Sequence, residues 1–264
     1  MLKESGKPKP WSENNIFRTT YFCNVSREND KVTRWIRKFY SPFVDHPEFE
    51  FNIAMARFIN WPPTLERIGW YGRFDAAQEQ LLASQLEKIP GKIWGDAYIV
   101  STCGRSMPKV QYVCEMLLPA VYRALGNASD LRRYLRTTPT LHGSWAFLKR
   151  IFGIQSFMAG QLLADYKNTK DHPLRQADDW WTFAVPGPGS LRGVSWITYG
   201  DNKHSSKIDF FNSLQEIRRE LEAAHCEEIR YICNQDLQNC LCEFDKFMRI
   251  FTGIGRSKRS YDGT

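Results

Sequence analysis

The stretch Asp178-Asp179-Trp180-Trp181-Thr182-Phe183-Ala184-Val185-Pro186-Gly187-Pro188-Gly189-Ser190-Leu191-Arg192-Gly193 concentrates the residue types that can do chemistry. Asp178 and Asp179 offer carboxylates for proton transfer or for stabilising a developing cation. Trp180 and Trp181 offer planar surfaces. Gly187, Gly189 and Gly193 let backbone N–H groups turn toward one concavity, Ser190 adds a hydroxyl, and Arg192 adds a planar fork that matches phosphate oxygens. This composition suggests an anion site on a loop; a rigid surface turn and an Asp pair capping a helix are the plainer alternatives.

A second set lies near the C-terminus, in Gln235-Asp236-Leu237-Gln238-Asn239-Cys240-Leu241-Cys242-Glu243-Phe244-Asp245-Lys246. At helical spacing Asp236, Asn239, Glu243 and Lys246 share one face, opposed by Leu237, Leu241, Phe244 and Met248. Such a stripe lines a site or faces water. Beyond it, Gly253–Tyr261 is a basic tail in which Arg256, Lys258 and Arg259 suit phosphate contact. It is not a phosphate-binding Walker loop, because no strand precedes its glycines.

The elements that must position these groups read as helices. Residues 1–15 look like a flexible basic arm and 17–27 an extended or turning entry, within which Arg27 is a candidate for a role. Asp30 is a further candidate at the start of the next helix. That helix, near 28–40, buries Val32, Trp35, Ile36 and Phe39. Amphipathic helices follow at 48–60 and 74–88. The run 97–100 is an apolar connector without a partner strand. A long helix over 108–125 ends at Gly126, and shorter ones lie near 128–135 and 140–150. The last two helices are 210–224 and 236–251. The expected architecture is mainly α, with one helical domain over 16–252, possible as two lobes, and a tail at 253–264.

Composition sets the outer bounds. A 264-residue chain that is 42% hydrophobic and 14% aromatic buries a substantial core. Its net charge of +7 and pI near 9.0 fit a polyanionic partner such as nucleic acid. No apolar run approaches the roughly 20 residues that span a bilayer, and the N-terminus has no signal-peptide core. No membrane association is expected; the expected location is intracellular, in the cytoplasm of a bacterial or phage-infected cell or the nucleus of a eukaryotic one. An odd count of 7 cysteines argues for reduced thiols. Cys226, Cys233, Cys240 and Cys242 are spaced as buried small side chains on helix faces rather than as the close ligand pairs of an iron–sulfur cluster, so neither a metal nor another cofactor is expected.

Residues Phe147–Leu163 read as helix, glycine turn, helix. The segment resembles the helix-hairpin-helix unit of the base-excision DNA glycosylases, whose hairpin offers backbone N–H groups to a DNA phosphate. Gly153 and Ile154 match that pattern. Gln155 replaces the second glycine, and Phe157 stands near where bifunctional glycosylases carry a catalytic lysine, a departure that removes the Schiff-base nucleophile.

An ordered set of strings, from Tyr21-Phe22-Cys23-Asn24-Val25-Ser26-Arg27 through Asn60-Trp61-Pro62-Pro63-Thr64, Phe157–Asp165, Asp179-Trp180-Trp181 and Gly187–Gly193 to Gln235–Lys246, resembles the helical family of phage thymidine hypermodification. That family comprises the helical domain of 5-hydroxymethyl-deoxyuridine DNA kinase and the related alpha-glutamyl/putrescinyl thymine pyrophosphorylases, or amino acid:DNA transferases. The resemblance implies a glycosylase-like helical fold acting on 5-hydroxymethyluracil-derived thymine in DNA. The step would be displacement of pyrophosphate from the 5-methylene carbon by an amine, or the helical component of the kinase step. Gly187, Gly189, Ser190, Arg192 and Gly193 would hold phosphate. Asp178, Asp179, Glu243 and Lys246 would be catalytic. Asn24, Arg27, Asp30, Gly153, Trp180, Trp181, Asn239, Arg256, Lys258 and Arg259 would contact DNA or the base. An amino acid or polyamine would donate the amine, and, since no GxxxxGK[ST] occurs in this chain, a separate P-loop kinase would be the partner. A DNA glycosylase for a modified pyrimidine and a non-catalytic DNA-binding module are the competing readings.

Overall fold

The computed structural model describes residues 12–97, 100–102, 104–126, 130–137, 139–256 and 260–261. Its α-helices, in chain order, are α1 Asn15–Thr19, α2 Lys31–Tyr40, α3 Phe49–Ile59, α4 Pro62–Ile68, α5 Ala76–Glu87, α6 Lys109–Tyr112, α7 Leu118–Leu125, α8 Asp130–Thr137, α9 Leu141–Leu148, α10 Ser156–Asn168, α11 Pro188–Tyr199, α12 Phe210–Ala223 and α13 Asn234–Phe251. The protein is mainly helical. Among the described residues no strand forms beyond one isolated bridge, Thr20 with Ser260. The chain divides into two compact units, Asp30–Phe183 and the pairing of Met1–Asn29 with Ala184–Thr264.

The middle unit is built on α3, whose residues are all buried. The sequence pattern predicts an amphipathic helix here, but Phe49, Phe51, Ile53, Ala54, Met55, Ala56, Phe58 and Ile59 leave no polar face, and a helix apolar all round lies in a core. Its polar residues are each paired. Asn52 clamps the backbone of Tyr71 from both sides, donating to its carbonyl at 2.8 Å and accepting from its amide at 3.0 Å. Arg57, fully buried, donates through Nε and Nη2 to the two carboxylate oxygens of Asp165 on α10 at 2.5 Å, and also reaches Thr33. Glu50 meets Arg132 and His172. The long helix expected over 108–125 is present with a π-helical turn, Val113–Leu117, between α6 and α7. Pro119 explains the interruption: it supplies no N–H, and its ring would strike the carbonyl one turn earlier.

The terminal unit is organised by α11 and α13, which lie along each other, with α12 closing a core of Val194, Phe210, Leu214, Ile229, Leu237 and Leu241. Two sequence expectations change here. The entry expected to be extended contains α1, capped by the Asn14 side chain on Ile16 N–H, so ordered helix already begins at Asn15, the last residue of the expected arm. The glycine-rich stretch expected as a loop is the first turn of α11. Gly187 is its N-cap, and Pro188 occupies the first helical position, where a missing N–H costs nothing. The expected arm, over 1–11, and Tyr98 and Ile99 of the apolar connector fall outside the described residues.

Candidate functional site

The polar stripe of α13 has a definite role. Its residues take up, in reverse order, the backbone of the segment Tyr21–Arg27. Lys246 Nζ donates to the Tyr21 carbonyl at 3.2 Å, and Glu243 Oε2 accepts from the Cys23 amide at 3.1 Å. Asn239 Nδ2 donates to the Asn24 carbonyl at 3.2 Å, and Asp236 Oδ1 accepts from the Arg27 amide at 3.1 Å. Four side chains at helical spacing thus hold a strap that lies in no strand ladder among the described residues, each making a hydrogen bond to its backbone. Glu243 and Lys246 also form an ion pair, and Lys246 Nζ lies 5.1 Å from the Phe22 ring centroid.

Between strap and helix lies a cavity of about 400 Å³, walled by Phe17, Phe22, Val25, Phe244 and Phe247, with Asn239 and Glu243 as polar wall residues. Phe17 stacks on Phe247 at 5.1 Å and meets Phe22 at 5.2 Å. Such a space, aromatic on most sides with a few polar groups at one wall, suits a flat ring. The strap depends on the Glu243 carboxylate. In Glu243→Gln, amide exchange at Cys23–Arg27 is expected to quicken about tenfold, as a charge-assisted bond of roughly 1.5 kcal/mol is lost. The exposed control Glu216→Gln should leave exchange there unchanged.

Arg192 and Asp245 form a second polar group of this unit, outside the lining of the cavity. Arg192 Nε and Nη2 both donate to Asp245 Oδ2 at 2.9 Å, while Trp196 Nε1 donates to Asp245 Oδ1 at 3.2 Å. Asp245 is buried and Arg192 is about one-third exposed (32%), so the carboxylate anchors a guanidinium whose edge reaches solvent. Sequence reading passed over Asp245 and Trp196. The available signal was a carboxylate four residues past Leu241, on the apolar side of α13, where a charge survives only with a partner.

The other groups expected to bind phosphate are arranged differently from a nest. Ser190 is buried, and its hydroxyl accepts from the Gly187 amide at 3.0 Å, closing the helix start on itself. Gly193 faces α13, where a Cβ would stand 2.2 Å from the Leu241 carbonyl oxygen, and a Cβ on Gly189 would meet Cys242 Sγ at 3.1 Å. These two glycines let two helices approach closely.

In the middle unit, Asp179 accepts from the amides of Leu141 and His142 at 2.7 and 2.8 Å, capping the N-terminus of α9. Asp178 is exposed. Trp180 is bound into the fold, its indole donating to the Lys167 carbonyl at 3.2 Å with Lys167 Nζ 4.3 Å from the ring centroid, whereas Trp181 is 53% exposed. Asp30 caps α2 by accepting from Thr33 N–H at 2.8 Å. The stretch read as one loop is therefore shared between units, with Asp178–Phe183 in the middle one and Ala184–Gly193 in the terminal one. Gly153, at φ +80°, makes the turn between α9 and α10, and a Cβ there would strike Leu117. Arg256 is exposed; Lys258 and Arg259 lie outside the described residues. Among the described residues no group of His, Cys, Asp and Glu is placed to hold a metal ion, and no helix is long and apolar enough to cross a membrane.

The family described as 5-hmdU DNA kinase, helical domain, matches residues 2–255. The chain belongs to this family. Among characterised relatives of this helical domain, the 5-hmdU DNA kinase of Bacillus phage SP10 is 22% identical over 279 aligned positions, which cover 97% of this chain and 43% of that protein. The chain thus spans less than half the length of the relative it matches. No solved structure matches it.

Proposed function

We propose that this protein is the DNA-engaging helical component of a thymine hypermodification step, the phosphorylation of 5-hydroxymethyluracil in DNA, working with a nucleotide-binding kinase module. The observation that carries the reading is the match of residues 2–255 to the kinase's helical domain. In this reading the aromatic cavity over α13 receives the modified base. Glu243 accepts the proton of the 5-hydroxymethyl group, Lys246 tunes that carboxylate, and Arg192, aimed by Asp245, meets the incoming phosphate. The oxygen of the 5-hydroxymethyl group forms a bond to the γ-phosphorus of a nucleoside triphosphate held by the partner. The bond from that phosphorus to its bridging oxygen breaks, and the diphosphate leaves with the electron pair.

The test is incubation with DNA containing 5-hydroxymethyluracil, with or without a P-loop kinase and ATP, followed by nucleoside mass analysis. Expected are tighter binding to that DNA than to thymine DNA and a phosphoryl ester when the kinase is present, lost in Arg192→Ala and Glu243→Gln. Equal binding to both DNAs together with no product overturns the proposal. An amine adduct formed from pyrophosphorylated DNA and an amino acid or polyamine would move the chain to the displacement step, and an abasic site would make it a glycosylase. Salt-sensitive DNA binding with no product under any condition would leave it a non-catalytic module.

A further inference from the structure

The corner between α9 and α10 carries groups that the reading above does not use. Phe152 and Phe157 are exposed there, at 43% and 56%. Lys149, Arg150 and Gln155 are exposed beside them, and Arg105, from the loop before α6, sets its guanidinium carbon 5.7 Å from the Phe152 ring centroid and 5.8 Å from that of Tyr112. Lys149 Nζ sits 3.4 Å from the Trp145 ring centroid, and the Trp145 indole is fixed by donating to the Ser156 carbonyl at 3.2 Å.

The backbone of this corner is held by its own hydrogen bonds. Ile151 donates to Leu148 and Ile154 to Ile151, the side chains of Ile151 and Ile154 are buried, and Gly153 seats the turn against Leu117. Burying one side of the turn obliges Phe152 to point outward. Large apolar rings on a protruding turn cost solvation unless something covers them. The cations around these rings identify the cover as polyanionic. A protein's apolar side chain would gain nothing from Arg105, Lys149 and Arg150, whereas a nucleic acid pairs flat apolar faces with phosphates at short, regular intervals. An intact duplex shows no base faces at its surface, so the rings gain contact only where a base has left the stack.

We infer that the α9–α10 corner is a stacking platform for an unstacked DNA base, with Phe152 as the ring it lies on and Arg105, Lys149 and Arg150 holding the adjoining phosphates. The inference rests on DNA being the ligand of the proposed function.

Fluorescence anisotropy with three labelled DNAs tests it: a thymine-rich single strand, the same sequence as a duplex, and a duplex with one bulged thymine. Phe152→Ala is expected to weaken the single strand and the bulged duplex about tenfold, as loss of one stacked base would, with the intact duplex unaffected. Phe152→Trp should restore binding. Arg105→Glu with Arg150→Glu should weaken all three and flatten the salt dependence on the single strand by about 0.7 logarithmic units for each phosphate no longer neutralised. All of these side chains are exposed, and circular dichroism verifies that each variant folds. Wild-type affinity of Phe152→Ala for the single strand, or an equal loss on all three DNAs, overturns the platform. If the corner variants are neutral while hydroxymethyluracil DNA is still selectively bound, the platform fails and the proposed function stands; if the wild-type chain binds neither these three DNAs nor hydroxymethyluracil DNA, both fail.

Discussion

Asp165→Asn is expected to destabilise the middle unit by about 3–5 kcal/mol, the cost of breaking a buried ion pair on one side. The substitution keeps volume and shape and removes one charge. Arg57 then faces a neutral amide where the carboxylate stood, its side chain wholly excluded from water at the centre of α3, and a guanidinium cannot shed its proton to escape. The Thr33 hydroxyl and the Asn60 side-chain oxygen, at 3.0 and 3.3 Å from its nitrogens, are neutral acceptors and cannot replace the carboxylate. The pair joins α3 to α10, so the loss should appear as earlier melting of the segment Asp30–Phe183 by circular dichroism or hydrogen exchange, with protection in α11–α13 less affected. With two units, the transition should be followed by more than one probe rather than assumed two-state. A double variant, Arg57→Met with Asp165→Leu, should recover much of the loss, since a buried pair against an apolar replacement is near neutral. If Asp165→Asn melts with the parent chain, the pair carries no net weight and the account of α3 fails.

How far the sequence disclosed all this depends on the range of the interaction. Helix spans followed from local periodicity and punctuation. Asp75, Thr140 and Asp209 each cap a helix with a side-chain oxygen, a local feature at the starts of the spans expected over 74–88, 140–150 and 210–224. The polar stripe of α13 was equally visible, but its partner was not. The strap lies more than 200 residues away in sequence, and an extended segment with no alternation leaves no periodic trace. The same applies to Arg57 and Asp165, 108 residues apart. Composition is ambiguous where one residue type serves two purposes. Glycine within Gly187–Gly193 is required for closeness, but a sequence cannot say whether a phosphate or another helix is what comes close. Likewise a carboxylate before two tryptophans reads as reactive until its oxygens are seen to be occupied by the amides of α9.

That distinction between phosphate and helix can be measured. Gly193→Ala is expected to cost the terminal unit about 1–3 kcal/mol, the range for forcing extra volume into a packed contact. The new Cβ would lie 2.2 Å from the Leu241 carbonyl oxygen and 2.8 Å from its carbon. Both are backbone atoms in the middle of α13, so no rotamer change relieves the contact and α11 must move away. The move also pulls on the Arg192–Asp245 pair, which bridges the same two helices one residue earlier. Gly193→Ala should therefore reduce thermal stability and any phosphate-dependent activity together. Gly189→Ala should cost less, because its nearest neighbour is the Cys242 sulfur at 3.1 Å, at the end of a side chain that can turn. Gly187→Ala, at φ −135° and with only the Ser190 hydroxyl oxygen at 3.9 Å, should be close to neutral. A backbone anion nest makes the opposite forecast. It would have Gly187→Ala and Gly189→Ala weaken phosphate binding at unchanged stability, and Gly193→Ala no more harmful than either. Thermal melts of the three variants, alongside affinity for pyrophosphate measured by calorimetry, separate the two accounts. Stability ordered as Gly187→Ala above Gly189→Ala above Gly193→Ala means the glycines serve the helix crossing and the phosphate chemistry of this unit falls to Arg192; equal stability with graded anion affinity would return the site to the backbone.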